Sequence, residues 1–401
     1  MTNRITTWST AALLVLALLA SCTRDGNDEE APHLSAVTET DSVGIRIVES
    51  PGTVLDAVLP WRVDTVPDLE LGRDEADLAT QFTSISGIGG VSGGGFVVVD
   101  GGSQELRWFD ATGQHVRTSG GPGSGPGEFR SPLLVPRFPS DSLLVFDRRG
   151  QRFTLVASDG SGERTLAQGQ VYGGTPRASV GSRALYTSAS GSLCAVNEPC
   201  DGPILARWID LASDVTDTLG VRWGRSLRHA EPGRPPLLML SPFQQRNLAA
   251  AGPNGLILEG NPRFELRQFD PDGRLTAIFR VEAPPRYTPD EALDLYVERY
   301  EDHAASQKAA YELMGLPEAV PAFQALLVDR LGWIWAELFR ADEGQPSAWL
   351  VFDERGRARG VVELPKELEV HEIGEDYILG RWTDELGVEY VRRHVLERRG
   401  G

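Results

Sequence analysis

The apolar positions of this 401-residue chain form short runs that recur in pairs separated by turns. Each unit begins with an apolar run after Gly or Ser, crosses a polar turn, and continues in a second run that ends in an acidic turn. Runs of this length, bounded by Gly, Asp and Pro, predict β-strands. The clearest units comprise residues 95–100 with 106–113, 142–147 with 153–160, 255–259 with 264–273 and 332–337 with 349–356, and weaker copies begin at 183 and 377.

Turn chemistry supports the same interpretation. Asp-x-x-Gly sequences, as at Asp110–Gly113 and Asp353–Gly356, are hairpin turns in which Asp caps its own backbone and Gly takes a positive φ. One unit alone would expose an apolar face and two strand edges, and arranging units around an axis buries those faces against neighbours. Six units of roughly 45 residues each predict an all-β fold, a six-bladed β-propeller over residues 41–401.

The two ends of the chain support closure of the ring. Segments 44–49 and 61–64 have the pattern of strands and precede the first full unit. The last unit runs out of chain near Arg398, one strand short of the others. We therefore expect a strand from the N-terminal segment to complete the last blade and leave no open edge.

One segment resembles the NHL-type propellers. Gly120-Gly-Pro-Gly-Ser-Gly-Pro-Gly-Glu-Phe129, followed by Pro132 and the run 143–147, is similar to the interblade glycine loop and inner strands of that family. The chain is also similar to the wider TolB-like class of six-bladed propellers. The resemblance implies a class that includes binding modules, lactonases and lyases. A phosphate-binding loop is excluded because Glu128 and Phe129, not Lys and Ser or Thr, follow the glycines.

The N-terminus has the pattern of an export signal. Arg4 precedes an apolar run, residues 11–20, which is too short to span a membrane. The sequence Leu19-Ala-Ser-Cys22 closes that run and resembles the lipobox of bacterial lipoproteins. The resemblance implies a signal peptide over residues 1–21, cleavage before Cys22, and a membrane anchor made by lipid on its thiol. Residues 22–40 are polar and acidic and are predicted to form a flexible tether.

The predicted location follows from these features. Thr23, and not Asp, follows the cysteine, which by resemblance to Gram-negative lipoproteins favours the periplasmic face of the outer membrane. The formal net charge of −18 argues against nucleic-acid binding, which needs a concentrated basic surface. In an exported protein Cys194 and Cys200, with five residues between them in a turn, are predicted to form a local disulfide. The alternative, a metal site, has no His or further Cys nearby.

Two connections between units are long, residues 221–245 and 282–322. Connections from an outer strand to the next inner strand lie at one end of a propeller, so both are expected over the same mouth of the channel. The second is predicted to be helical over about 286–318, between blades four and five. Thr288-Pro-Asp-Glu291 starts the helix, and Leu293, Tyr296, Val297 and Tyr300 form an apolar stripe. This stripe either packs on the propeller or forms a lid over a binding mouth.

Candidate ligand-binding residues cluster in these segments. The first insertion concentrates basic and aromatic side chains in an acidic protein, and together these could hold a carboxylate, a phosphate or a sugar. The alternative is a solvated, Arg-rich loop. The candidate set is Arg222, Trp223, Arg225, Arg228, Tyr296, Arg381 and Trp382.

No catalytic constellation is present in the sequence. The six His residues lie far apart, and no paired-ligand spacing or nucleophile elbow occurs. We therefore assign no catalytic residue, no metal ligand and no cofactor. A propeller enzyme could still assemble a metal site from the strand-end carboxylates of Asp147, Glu259 and Glu337 in the channel.

The leading functional hypothesis is a binding module in the bacterial envelope. A rigid propeller face would recognise an unidentified protein, peptide or glycan, and lipid on Cys22 would attach the protein to the membrane. One alternative is a metal-dependent enzyme of the lactonase or lyase type. Another is a structural scaffold within an envelope complex. Enzymatic activity is the less favoured hypothesis.

Overall fold

The computed structural model describes residues 37–399 except 75, 139–141, 169–173, 190–194, 214, 230–236, 242, 244–247, 301–302 and 343. Ser35–Gly401 forms one compact unit. Its described part is the predicted all-β fold, a six-bladed β-propeller. Strands before the first blade are β1 (Thr38–Ser42), β2 (Ile45–Pro51), β3 (Arg62–Val63) and β4 (Leu69–Leu71).

The blades follow one another along the chain. Blade one contains β5 (Ile85–Gly90), β6 (Phe96–Asp100), β7 (Glu105–Phe109) and β8 (His115–Gly120). Blade two contains β9 (Pro132–Val135), β11 (Ser142–Asp147), β12 (Arg152–Ala157) and β13 (Glu163–Gln168), and the short β10 (Arg137–Phe138) that follows β9 pairs with the sheet of blade three. Blade three contains β14 (Gly174–Val180), β15 (Arg183–Ala189), β16 (Pro199–Asp210), β17 (Thr216–His229) and β18 (Leu237–Leu240).

The second half repeats this order around a helical insertion. Blade four contains β19 (Ala249–Gly252), β20 (Gly255–Asn261), β21 (Glu265–Phe269) and β22 (Leu275–Glu282). The helices α1 (Pro289–Glu298) and α2 (Ala304–Met314) lie between blades four and five. Blade five contains β23 (Phe323–Val328), β24 (Ile334–Leu338), β25 (Ser347–Phe352) and β26 (Ala358–Leu364), and blade six contains β27 (Leu368–Ile373), β28 (Tyr377–Thr383) and β29 (Glu389–Glu397).

The apolar runs are continuous because both faces of each blade are buried. In β6, Val97 and Val99 pack towards blade two, while Phe96 and Val98 pack towards blade six. Successive residues of a strand point to opposite faces, so one strand supplies both interfaces. Equivalent clusters fill the other junctions between blades. The fold therefore has no single core, and its apolar interior is divided among the interblade interfaces.

The N-terminal segment closes the ring, as the sequence predicts. Strand β4 pairs antiparallel with β29 and places Leu71 opposite Val391. Strand β3 pairs with the end of the same strand. Leu71 is buried in the cluster that joins blade six to blade one. Blade six is thus completed by a strand that lies more than three hundred residues earlier in the chain.

The same segment also covers the outer edges of blades four and five. Strand β2 pairs parallel with β22, the outer strand of blade four, and β1 adds outside it. A bridge joins Val58 to Val361 on blade five. The strand predicted at 44–49 is therefore β2, on blade four. The predicted tether over 22–40 is corrected, because it ends by Thr38, where β1 begins.

The predicted helix is a pair of helices. Thr288 caps α1 in a capping box with Glu291, and Gly315 follows α2 with a positive φ. The chain also differs from prediction in the first insertion, since residues 221–229 belong to the long strand β17 and do not form a loop. Both insertions pack together at one end of the propeller in the cluster that contains Leu227, Met239, Leu293 and Met314.

In the part of the chain that the structure describes, no helix has the length and apolar character needed to cross a bilayer.

We predict that the contact of β4 with blade one contributes strongly to stability. Leu71→Ala should lower the free energy of unfolding by about 2–4 kcal/mol, because it leaves a cavity at the closing interface. Denaturant unfolding of Val66→Ala is the matched control, since Val66 belongs to the same segment but is 75% exposed. Its effect should stay within about 0.5 kcal/mol. Equal effects of the two substitutions would contradict the proposed closure.

Candidate functional site

A cavity of about 400 Å³ lies on the propeller axis. It is lined by inner strands of several blades, among them β5, β9, β19, β23 and β27. Volumes of 300–1,000 Å³ with apolar walls and a few polar groups are typical of small-molecule sites. Among the described residues this axial cavity is the place where side chains from the most distant parts of the sequence meet.

Small residues keep the cavity open. It is lined by Gly87 and Gly89 of β5 and by Ala249 and Ala251 of β19, and the two alanines leave space that larger side chains would fill. A Cβ atom at Gly87 would overlap the side chain and backbone of Leu134 on the neighbouring blade. Glycine at this position therefore allows the inner strands of blades one and two to approach closely.

A charged cluster stands at one end of the cavity. The guanidinium of Arg330 lies with both Nε and Nη2 at 2.9 Å from Glu372 Oε1. The hydroxyl of Tyr377 donates to the same oxygen at 2.7 Å. The backbone N–H of Gly90 donates to Glu372 Oε2. Glu372 thus fixes Arg330 in one orientation, and its two oxygens are occupied by protein donors.

The electrostatics keep this cluster charged and hydrogen-bonded. Burial raises the pKa of Tyr377, and the negative charge of Glu372 raises it further. Burial alone would lower the pKa of Arg330, but Glu372 outweighs burial and the net direction is upward. Tyr377 therefore remains a hydrogen-bond donor at neutral pH, and Arg330 remains a cation.

Asp329 holds the turn that presents Arg330. Its buried carboxylate accepts hydrogen bonds from the indole N–H of Trp335 at 2.9 Å and from Arg398 Nη2 at 2.7 Å. The backbone N–H groups of Leu331 and Trp333 donate to its other oxygen. Arg398 also lies 4.8 Å from the ring centroid of Trp61. The N-terminal segment, blade five and the C-terminal end therefore meet directly behind Arg330.

His371 adds a titratable group to the wall of the cavity. It is the extra residue of a β-bulge in β27, between the pairs formed by Val370 and Glu372. Its buried Nε2 has no hydrogen-bond partner among the described residues and lies 3.7 Å from Glu369 Oε1. Burial lowers the pKa of His371, and Glu369 opposes that change. The net direction favours the neutral form of the ring.

The axial cavity lies away from the helical insertion. The chain leaves α2 and begins β23 at Phe323, whereas the cavity is lined by Leu326 to Arg330 at the other end of that strand. At about 3.3 Å per residue, Val328 lies roughly 17 Å from Phe323. We call the end of the axis near α1 and α2 the insertion mouth. We call the end marked by Arg330 and the exposed Glu375 the cavity mouth.

Tyr296 lies among aromatic side chains at the insertion mouth. Its ring centroid is 5.8 Å from those of Phe243 and Tyr311, and the Arg299 guanidinium lies 3.8 Å from it. The apolar stripe of the helices packs on the β17–β18 hairpin and on Phe339. Of the two interpretations of the stripe, packing on the propeller is the one that the structure shows.

Arg381 and Trp382 follow each other on β28 and face opposite sides of blade six. Arg381 pairs with Glu369 and, at 2.8 Å, with Glu389. Trp382 lies 3.5 Å below the Arg392 guanidinium and 5.3 Å from Tyr390. The structure brings neither residue to the axial cavity and does not bring the two side chains together.

Four predicted site residues belong to β17, but their side chains lie outside the described part of the chain. They are Arg222, Trp223, Arg225 and Arg228. Cys22 and Cys194 also lie outside that part, so lipidation and the Cys194–Cys200 disulfide stay predictions.

Two of the three strand-end carboxylates serve local structure. Asp147 accepts from the backbone N–H groups of Arg130 and Ser131, and Glu337 accepts from Ser347 and Arg340. Glu259 is buried at the end of β20. In the described ranges no three His, Cys, Asp or Glu side chains form a group that could hold a metal ion.

No motif of the sequence predicts the axial cavity. The available signal was the small-residue content of two inner strands, Gly87-Ile-Gly-Gly90 and Ala249-Ala-Ala251, where other strands carry large apolar residues. Nothing in the local sequence marks Arg330 or Glu372, because they come from different blades.

No family model matches the chain, and no curated protein matches it. Solved structures similar to it include a member of the DUF4221 family from Bacteroides vulgatus, 12% identical over 84% of this chain and 98% of that chain, with a TM-score of 0.43. A protein of unknown function from Bacteroides thetaiotaomicron is 11% identical over 84% and 76%, with a TM-score of 0.44. Streptogramin B lyase is 9% identical over 84% and 97%, with a TM-score of 0.35.

We predict that Gly90 is required by the Arg330 cluster. A Cβ atom at Gly90 would overlap Arg330, Glu372 and the Tyr377 hydroxyl, so Gly90→Ala should lower the free energy of unfolding by about 1–3 kcal/mol. Gly220→Ala is the matched control, because a Cβ atom at this strand glycine would have no neighbouring atom within 4 Å. Denaturant unfolding compares the two variants. A Gly90→Ala protein as stable as the control would show that the cluster is not held tightly.

Proposed function

We propose that the protein is a lipid-anchored envelope protein whose propeller is a binding module for a small molecule held in the axial cavity. The observation that carries the proposal is the 400 Å³ cavity with Arg330 fixed at its end. Such a cavity combines an apolar enclosure with a polar group held in place before a ligand arrives. The ring of blades around it supplies a rigid frame.

Recognition at the insertion mouth is a separate proposal. The sequence pattern favours a protein, peptide or glycan there, with Arg222, Trp223, Arg225 and Arg228 as contact residues. The packing of Tyr296 and the ion pairs of Arg381 leave these two side chains fewer free groups for a ligand. The axial cavity is therefore the better-supported site.

The anchor is supported by the sequence that ends at Cys22. The lipobox-like pattern implies lipidation there, and β1 begins at Thr38. The two positions are sixteen residues apart, a length that reaches roughly 55 Å when fully extended. Such a connection would allow the propeller to stand clear of the bilayer surface. We also propose, from the sequence resemblance, that the propeller is of the NHL-type or TolB-like class.

The enzyme alternative has weaker support than binding. Asp147 and Glu337, which would have contributed to a metal site in the channel, are occupied by backbone and side-chain donors. A stoichiometric divalent ion in protein purified without chelator would favour the lactonase or lyase type. Purification with a fixed partner would favour the scaffold.

The direct test is a thermal-shift screen of small molecules against the full chain and two cavity-filled variants. Ala251→Phe and Ala249→Phe replace small side chains that line the cavity. A ligand present at about one hundred times its Kd stabilises the folded state by about 2.7 kcal/mol, which raises Tm measurably. We expect compounds that raise Tm of the wild type and leave both variants unchanged. Compounds that stabilise all three proteins equally would place binding elsewhere.

We also predict that Cys22→Ser releases the protein from the membrane. Without the thiol no lipid can be attached, so the variant should move from the membrane fraction to the soluble fraction. Cys200→Ser is the control, because it leaves Cys22 available for lipid. Retention of Cys22→Ser in the membrane fraction would refute the lipid anchor.

A further inference from the structure

We propose that the ligand of the axial cavity is a compact apolar molecule that ends in a carboxylate, with Arg330 as the residue that binds the carboxylate. This inference rests on the proposed function and specifies its ligand class. It is argued from the walls of the cavity, the hydrogen bonds of Arg330 and the distribution of charge at the cavity mouth.

The walls of the cavity favour an apolar body. Leu134, Leu327, Val328 and Ala251 line it from three different blades, and all four are partly exposed. A sugar placed between such walls would lose its hydrogen bonds to water without replacement, at a cost for each hydroxyl. An alkyl or aromatic body instead gains by leaving water. This part of the wall therefore favours an apolar body, while polar residues line other parts of the cavity.

Arg330 is prepared to bind an anion. Glu372 takes up its Nε and Nη2 groups, while Nη1 makes no hydrogen bond with any described residue. Its side chain keeps 32% of its surface exposed at the cavity mouth. A guanidinium can pair with a second carboxylate through its remaining N–H groups, and such charge-assisted bonds are among the stronger ones in proteins. Because Glu372 fixes the rotamer, binding costs little side-chain entropy.

The carboxylates of the cavity are less suited to a cation. Glu372 accepts from Arg330, Tyr377 and the Gly90 backbone, so its acceptor capacity is already used. Glu375 is exposed at the cavity mouth and is the carboxylate nearest to solvent there. Arg137 also lines the cavity and adds positive charge where blades two and three meet, with its Nη1 donating to the Gly181 carbonyl at 2.6 Å. The negative charge of Glu375 is expected to weaken anion binding at the cavity mouth. One exposed carboxylate is not enough to form a cation site.

Two fluorescent dyes with the same ring system test this inference. 1-Anilinonaphthalene-8-sulfonate carries an anionic sulfonate, which stands in for the carboxylate, and N-phenyl-1-naphthylamine lacks it. The affinities of both dyes for the full chain are measured by fluorescence titration. We expect the anionic dye to bind the wild type at least tenfold more tightly, and both dyes to lose binding in Ala251→Phe.

Substitutions at the cavity mouth distinguish the contribution of charge to dye affinity from the contribution of cavity shape. Arg330→Gln and Arg330→Met should each weaken the anionic dye about tenfold or more and leave the neutral dye within about twofold. Glu375→Gln should strengthen binding of the anionic dye and leave the neutral dye unchanged. Arg299→Gln is the control, because Arg299 lies over Tyr296 at the insertion mouth. Retained binding of the neutral dye shows that each variant is folded.

The possible outcomes distinguish this inference from the proposed function. If both dyes bind the wild type equally and the Arg330 variants change neither, the ligand class is wrong while binding in the cavity stands. If neither dye binds the wild type more tightly than Ala251→Phe, binding in the cavity itself is refuted. If Arg299→Gln weakens the anionic dye as much as Arg330→Gln does, the anion site is at the insertion mouth.

Discussion

Closure of the ring between blade six and blade one is the contact on which the rest of the structure depends. Each blade is apolar on both faces, so every blade needs two neighbours, and an open arc would leave two large apolar surfaces in water. The chain provides the last contact by pairing β4 with β29 and burying Leu71 beside Phe96 and Val98. The N-terminal segment is therefore a structural part of the propeller as well as its connection to the predicted anchor.

The axial cavity is a consequence of that closure. Inner strands that all run in one direction bring their ends to one mouth, and the small side chains of Ala249 and Ala251 leave space between them. At the same mouth, Asp329 and Arg398 join the C-terminal end to blade five, directly beside Arg330. The buried ion pair between Asp329 and Arg398 holds the turn after β23, and this turn positions the guanidinium of Arg330. The strand that closes the ring, the C-terminal segment and the candidate site are therefore linked by direct contacts.

The repeating pattern of the sequence predicts the fold well, because each blade repeats the same local code. Apolar runs between glycine and Asp-x-x-Gly turns predict the blades, and the missing last strand predicts closure by the N-terminal segment. The sequence predicts one helical insertion and does not show its division into α1, which ends at Glu298, and α2, which begins at Ala304, since Tyr300 continues the apolar stripe beyond the end of α1. The path of β2 along blade four was also missed, because parallel pairing at an outer edge leaves no local signal.

The candidate site could not be predicted from local sequence for a physical reason. Gly90 lies 282 residues before Glu372, and Arg330 lies 42 residues before it, so only the ring places the three residues together. Arg381 and Trp382, by contrast, are candidate ligand-binding residues in the sequence because they are adjacent. Adjacent residues of a strand face opposite sides, so this adjacency keeps their side chains apart.

The most direct measurement is a crystal structure of the protein bound to the small molecule that raises Tm most. If the axial cavity is the binding site, we expect ligand density on the propeller axis, between Ala251 and Leu327 and within hydrogen-bond distance of Arg330. Ligand density at the insertion mouth, against α1, α2 or the β17–β18 hairpin, with the axial cavity filled only by water, would contradict it.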